Sequence, residues 1–321
     1  MKKLCNLLFF ARLCVLLCVS FNQHSMKRIS LLLMSFLAFL FFSCGEAPKA
    51  EPQKDVSMIK ELNLNSPDSD QYVLMATNMG DMVIKLYRET PGHRKNFINL
   101  VMNGFYDGQL FYRVKKDMLI QSGDYTSKTN PNGADLGVTD VDFTVRSEID
   151  PFKRYHKRGA LAAASFNKGD FSSGAHFYIV TGKPAQENDL KLSERKVNEE
   201  LVNKMFFEVQ KPYRQQIHRL NNAAEHDVKK KEELSKLISK LKAEARAAMK
   251  GKEFSYSKEQ RRMYTKTGGL PHLDAHYTVF GEVVEGMDVV DNISKVDATS
   301  KGRPRNHVVI KKVTILDSYG K

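Results

Sequence analysis

The apolar patterning typical of β-strands breaks off after "HFYIVTG" and resumes at "GGLPHLDAHYTVFG", leaving residues 183–268 between the two halves. A sheet tolerates such an interruption only if the intervening segment leaves and re-enters it at neighbouring points. The interruption is rich in Lys, Arg and Glu. Its apolar residues fall at Val197, Leu201, Met205 and Val209, then Tyr213, Ile217 and Leu220, then Leu234, Leu237, Ile238 and Leu241. Spacings of three and four define amphipathic helices. Pro212 is expected to kink or break the first helix, and Asn221-Asn222 to turn the chain into an antiparallel return, giving a helical hairpin. Two roles fit such an arm: a surface for clients or partners, or a solvated insertion that packs on itself and tolerates shortening to a loop.

On either side of the insertion the pattern is β-type. "YVLMAT", "NMGD" and "MVIKLY" are two apolar-rich segments around a Gly-containing turn, which predicts a hairpin. Thr90-Pro91 then predicts an N-cap and a first-turn proline opening a helix with Phe97, Leu100 and Val101 on one face and Gly104 at its stop. Short β-like runs follow at 111–114, 118–121, 159–164 and 176–180. After the insertion come "YTVFGEVV", a short helix "MDVVDNISKV" and a final strand "HVVIKKVTIL". One domain therefore begins before the insertion and finishes after it.

Residues 1–43 hold Lys2, Lys3, Arg12, Lys27 and Arg28, no Asp or Glu, and apolar runs over 4–21 and 29–42. That is targeting composition. The second run is shorter than the ~20 residues of a membrane span and ends in Leu40-Phe41-Phe42-Ser43-Cys44. This stretch resembles a bacterial lipobox, in which a small residue precedes a cysteine that is lipidated and becomes the new N-terminus, although Phe41 stands where Leu is usual. Met26-Lys27-Arg28 makes a complete signal start by itself, so 1–25 reads as an extension; a cleaved soluble signal or a signal anchor are the alternatives. The four cysteines are residues 5, 14, 18 and 44, so the segment after Cys44 has no disulfide framework and needs no redox partner in a cell envelope. Residues 45–70 are rich in Pro, Lys, Glu, Asp and Ser and read as a flexible tether. Without residues 1–43, the 50 Lys and Arg become 45 against 37 Asp and Glu, a formal charge of +8 in place of +13. This moderate excess suits solubility or anionic lipid, and no nucleic-acid partner is expected of an exported lipoprotein.

No Ser/His/Asp arrangement, zinc-ligand spacing, P-loop or GxGxxG runs through the chain, which argues against covalent and metal catalysis. No metal and no other cofactor is expected. The β segments offer instead an arginine beside apolar and amide side chains: Arg113, Met118, Gln121, Phe177 and Leu273. Such a surface can hold a small apolar ring while a guanidinium reaches a backbone amide, which is chemistry suited to proline.

"FYRV…LIQSGDYTS", "GALAAASFNKGDFSSGAHFYIVTG" and "HLDAHYTVFGEVVEGMDVVDNI" resemble, in order and spacing, three core blocks of the cyclophilin peptidyl-prolyl isomerases. The likeness covers roughly residues 72–182 and 269–318. It implies a mainly β fold, a closed eight-stranded antiparallel barrel with two capping helices, here with the helical hairpin inserted. It also implies that Arg113 is catalytic and that Gln121 helps to hold it. The proline pocket falls on Met118, Leu119, Phe177, Tyr178 and Leu273, edged by Tyr277, with His176 beside it. Backbone contacts to an extended substrate fall on Ala164 and Ser165, next to the loop carrying Gly174. Met118 departs from the family's Phe, His176 from Gln, Tyr178 from a second Phe, His272 from the Trp of eukaryotic members and Tyr277 from a frequent His. Tyr178 facing the barrel interior is the alternative at that position.

These readings combine into a layout and a function. Residues 1–43 form a signal, 44–70 a lipidated start and tether, 71–182 and 269–321 the two parts of the barrel, and 183–268 the insertion. The expected protein is a monomeric isomerase, anchored to a bacterial envelope membrane through Cys44, facing the periplasm and acting on X-Pro bonds of exported polypeptides. A proline-binding chaperone or scaffold with weak turnover, and a structural lipoprotein working through its hairpin, are the competing readings.

Overall fold

The computed structural model describes residues 69–133, 136–165 and 170–317. Cys44, the signal and nearly all of the tether lie outside the described residues. Among those described, no helix is long and apolar enough to cross a membrane.

The expected hairpin is formed by β1 (Gln71–Thr77) and β2 (Gly80–Leu86), paired from Gln71 opposite Leu86 to Thr77 opposite Gly80. They join β3 (Arg113–Lys115), β4 (Leu119–Ser122), β6 (Ala160–Ala163), β8 (Phe177–Val180), β9 (Val279–Glu285) and β10 (Ile310–Leu316). The eight make one curled, wholly antiparallel sheet in the order β10-β1-β2-β9-β6-β8-β4-β3. Its two edges are β3 and β10. Between them runs no ladder but a short seam, in which Gly108 N donates to Ile310 O at 2.7 Å, Ile310 N to Gln109 O at 2.8 Å and Phe111 N to Val308 O at 2.9 Å. The expectation of eight antiparallel strands thus appears as a half-barrel. A separate two-stranded sheet, β5 (Thr144–Arg146) with β7 (Phe171–Ser173), was not legible in the pattern.

Side-chain alternation divides the sheet into an inner and an outer face. Val73, Met75, Ile84, Ile120, Phe177 and Ile179 point inward into one buried cluster. Helix α1 (Pro91–Met102) adds Phe97 and Val101 to that cluster, and α6 (Met287–Ser294) adds Val290 and Ile293. α1 starts at Pro91 as predicted, but Thr90 does not cap it: its hydroxyl donates to Tyr87 O at 3.2 Å. The distant Glu148 carboxylate accepts from Gly92 N at 3.0 Å and His93 N at 2.9 Å instead. A carboxylate at this end also faces the positive end of the helix dipole.

In the insertion, α2 (Glu187–Val209) is broken before Pro212 by a 3-10 turn and continues as α3 (Arg214–Ala224); both pack on the returning α4 (Val228–Met249), and α5 (Lys258–Lys266) follows. The turn lies at 225–227 rather than at Asn221-Asn222, which stay inside α3. Asp227 explains the displacement, because its carboxylate caps α4 by accepting from Lys229 N at 2.8 Å. The two ends of the insertion touch: Gly269 N donates to Lys183 O at 3.3 Å. A Cβ on Gly182 would collide with the Gly269 carbonyl, so the neck is built from glycine.

The insertion is not a detachable arm. Phe254, Tyr256 and Tyr264 are buried with Leu190, Val197 and Ala275 in one cluster. The two tyrosines each donate to Asp274 Oδ2 at 2.6 Å, while His156 N and Nδ1 approach Asp274 Oδ1 at 2.9 and 2.8 Å. Four hydrogen bonds saturate this carboxylate, which is only 3 % exposed. Shortening 186–264 to a loop, tolerable for a solvated arm, would remove half of them. Loss of one hydrogen bond to a charged group puts Tyr264→Phe at about 1–3 kcal/mol of destabilisation, and Asp274→Ala, which leaves several buried donors without their acceptor, should cost more than about 3 kcal/mol. Urea denaturation measures both; an unshifted midpoint for Asp274→Ala would show that the carboxylate holds nothing together.

Candidate active site

On the outer face, the register of three neighbouring strands brings the expected polar pair together. Arg113 of β3 lies opposite Gln121 of β4, and Gln121 lies opposite Tyr178 of β8. Arg113 Nη1 donates to Gln121 Oε1 at 2.9 Å. A guanidinium never gives up its charge in a protein, so this bond fixes a permanent cation at a half-buried position.

Beside the pair lies an apolar patch separate from the inner core. Leu119, Ala162, Ala164, Tyr178 and Val180 are buried in it, and Met118, Leu273 and Tyr277 pack against it while partly exposed. Leu273 ends a 3-10 turn, Pro271–Leu273, that places it next to Asp274. The Tyr178 and Tyr277 rings meet edge to face with centroids 5.9 Å apart. The patch thus has an aromatic wall and a flexible thioether, a surface able to take a small ring.

Tyr178 is held from behind. His156 Nδ1 donates to the Asp274 carboxylate at 2.8 Å, and Nε2 lies 2.9 Å from the Tyr178 hydroxyl. Burial, with Tyr277 and Asp274 nearby, raises the Tyr178 pKa well above the ordinary phenol value, keeping it a neutral donor. A buried relay therefore runs from Tyr256 and Tyr264 of the insertion through Asp274 and His156 to the wall of the patch. None of these four was singled out from the sequence as functional. Asp274 stood inside a recognised block, but its donors come from distant segments and leave no local pattern.

Five expected positions are engaged in contacts of the fold itself. Phe177 faces inward, 1 % exposed, edge-on to Phe97 at 5.7 Å and Tyr106 at 5.4 Å, because alternation along β8 must send it opposite to Tyr178. His176 is buried, with Nδ1 2.7 Å from the Tyr112 hydroxyl and Nε2 2.7 Å from Thr139 O. Gly174 is buried too; its carbonyl accepts from Asn96 Nδ2 at 2.7 Å, and Val141 and Phe143 occupy the space a side chain would need. Ala164 presents its methyl to the patch, but its N–H donates to His176 O at 2.9 Å and its C=O accepts from Ser173 N at 2.8 Å. Its N–H is therefore not available to a substrate. Ser165 is half-buried and its Oγ donates to Phe171 O at 3.0 Å. Among the described residues no group of three His, Cys, Asp or Glu is placed to hold a metal ion.

Residues 72–315 match the family described as cyclophilin type peptidyl-prolyl cis-trans isomerase/CLD. A protein of Staphylococcus haemolyticus, provisionally named a peptidyl-prolyl cis-trans isomerase, is 27% identical over 260 residues, 80% of this chain and 97% of its own length. A counterpart with the same provisional name in Staphylococcus aureus is 25% identical over 259 residues, 79% of this chain and 96% of its own. Among solved structures, a cyclophilin type isomerase of Cryptosporidium parvum superposes with a TM-score of 0.45 at 18% identity, covering 77% of this chain and 98% of that one. The chain belongs to the cyclophilin-type peptidyl-prolyl cis-trans isomerase family.

The inner face of β8 and the rim of the outer patch should respond differently to truncation. Phe177→Ala is expected to destabilise by about 3–5 kcal/mol through the cavity it leaves. Met118→Ala, on the partly exposed rim, should stay below about 1.5 kcal/mol, since part of its side chain already meets water. Chemical denaturation of the two variants tests the assignment, and equal losses would contradict it.

Proposed function

We propose that this isomerase uses Arg113 to accelerate rotation about X-Pro bonds in exported polypeptides. The observation that supports this most directly is the Arg113–Gln121 bond at 2.9 Å, on the border of an apolar patch. The C–N bond before proline resists rotation by ~18–20 kcal/mol because the nitrogen lone pair is shared with the carbonyl. As the bond twists, that lone pair localises on nitrogen. A guanidinium directed there stabilises the twisted state more than the planar one, which is what lowers a barrier. Met118, Leu119, Tyr178, Leu273 and Tyr277 would hold the ring while the preceding carbonyl swings. No bond is made or broken, so the residues themselves suffice. In this reading the seam of 108–111 with 308–310 completes a closed barrel whose rigidity keeps β3 and β4 in register.

Attachment to an envelope membrane through a lipid on Cys44 is part of the same proposal, supported by the composition of residues 1–43 and the small residue before the cysteine. The tether would hold the enzyme clear of the surface, facing the periplasm and its unfolded clients. A second reading, a proline-binding chaperone with weak turnover, draws support from Ala164, whose N–H is already committed within the fold.

Arg113→Ala is expected to keep the fold and lower kcat/KM on a proline peptide by on the order of 10²-fold, as loss of one aimed donor typically does; wild-type turnover in that variant would refute the mechanism and favour the binding module. Cys44→Ala should abolish lipid labelling and move the protein from the membrane to the soluble fraction. Retention on the membrane would point to a signal anchor instead.

A further inference from the structure

Residues 297–305 form a tight loop laid against β3. Gly302 N donates to Thr299 O and Thr299 N to Arg303 O, both at 2.8 Å, while Arg305 N donates to Asp297 O at 2.9 Å. Val114 N, in β3, donates to Gly302 O at 2.7 Å. Gly302 has φ of 87°, and a Cβ there would press on the Val114 carbonyl and lie 3.4 Å from Arg113 Cγ. The loop is therefore pinned to β3 next to the candidate catalytic arginine, and it carries a cation at every second position: Lys301, Arg303 and Arg305.

Those side chains line a cleft of about 520 Å³ together with Arg113 and Gln121. His307 lines it as well, and its described lining residues include no Asp or Glu. The neighbouring acids leave the excess in place. Asp297 pairs with Arg305 at 3.0 Å, but both side chains are well exposed, so the pair screens little. Arg303 donates to the Pro131 carbonyl, a neutral partner. Burial lowers the Arg303 pKa from its ordinary value, against the pull of Asp124, so this guanidinium is already partly stripped of water. A concave, partly dehydrated site whose described residues carry an excess of one sign of charge concentrates the opposite sign.

A basic surface elsewhere on the molecule would be an ordinary solvated face. This one shares a wall with Arg113. We propose that the cleft is a specificity subsite, selecting proline-containing segments that carry a carboxylate side chain, Asp or Glu, within a few residues of the proline. The inference rests on the reading of Arg113 as the group at the reacting bond, and extends it to the choice of substrate.

The test uses the folded enzyme and a set of short peptides that differ only at residues flanking the proline, carrying Glu, Gln, Lys or phosphoserine. Exchange rates and Kd are read by NMR, which needs no coupling protease. For wild type, the best-placed Glu peptide should exceed its Gln counterpart by about five- to tenfold in kcat/KM, corresponding to a modest electrostatic preference. The Lys peptide should fall below both, and the gap should shrink as salt shortens the Debye length. The double variant Lys301→Glu with Arg305→Glu, if its unfolding midpoint matches wild type, should reverse the order of Glu and Lys. Equal rates for Glu and Gln at every flanking position, or a Glu preference that survives charge reversal, would overturn the proposal. A phosphoserine preference with Glu and Gln equal would assign the cleft to phosphate and likewise overturn it. Absence of exchange with every peptide would refute the isomerase mechanism alone, because the Kd values of the same peptides still report the charge preference.

Discussion

A single buried carboxylate, that of Asp274, sets the terms on which the two parts of the chain coexist. Left without donors at 3 % exposure it would be destabilising by several kcal/mol. Its donors are the backbone and ring of His156, before the insertion, and the hydroxyls of Tyr256 and Tyr264, within it. The next residue, Ala275, sits at φ 65°, a left-handed conformation that disfavours a side chain. Such a residue persists where its surroundings over-determine it, and the bonds on either side supply that constraint. The helices of residues 183–268 are consequently a structural necessity at their base and free to serve other ends at their tip, where Phe207 and Val228 are well exposed.

The same sheet builds the core on one face and the candidate site on the other. In β8, Phe177 and Ile179 belong to the interior while Tyr178 and Val180 belong to the outer patch. A register slip of one residue would exchange these roles throughout. Because Ile120 and Ile179 are fully buried between Leu119, Gln121 and Tyr178, the packing that stabilises the domain also fixes the spacing of the site. Core and site are in this sense one set of contacts seen from two sides.

How far the sequence was legible follows the range of the interactions. The β1–β2 hairpin, the proline start of α1 and the helices of the insertion rest on neighbours in the chain and were readable from spacing. Arg113 and Gln121 were singled out from the recognised block, and in the structure they lie opposite each other and share a hydrogen bond. The facing of Phe177 and Tyr178 was not, because all four residues of β8 are buried and apolar or aromatic on both sides, which erases the alternation. The cap on α1 comes from Glu148, more than fifty residues away, and the turn between α3 and α4 was drawn to Asp227 by its capping strength. The Asp274 network joins segments separated by up to 118 residues, beyond any local pattern.

The pairing of β1 with β10 sets Tyr72 opposite Leu316, near the two ends of the described chain. Its loop closure must enclose almost everything else, so this ladder has the largest sequence separation in the sheet and belongs late in the order of folding. Until β10 arrives, one side of β1 is an unpaired edge, the kind of surface on which chains associate wrongly. The helices of the insertion depend on local contacts and can form long before. This isomerase would thus carry, in its own topology, a slow last step that leaves it exposed to misassembly until its final strand is in place.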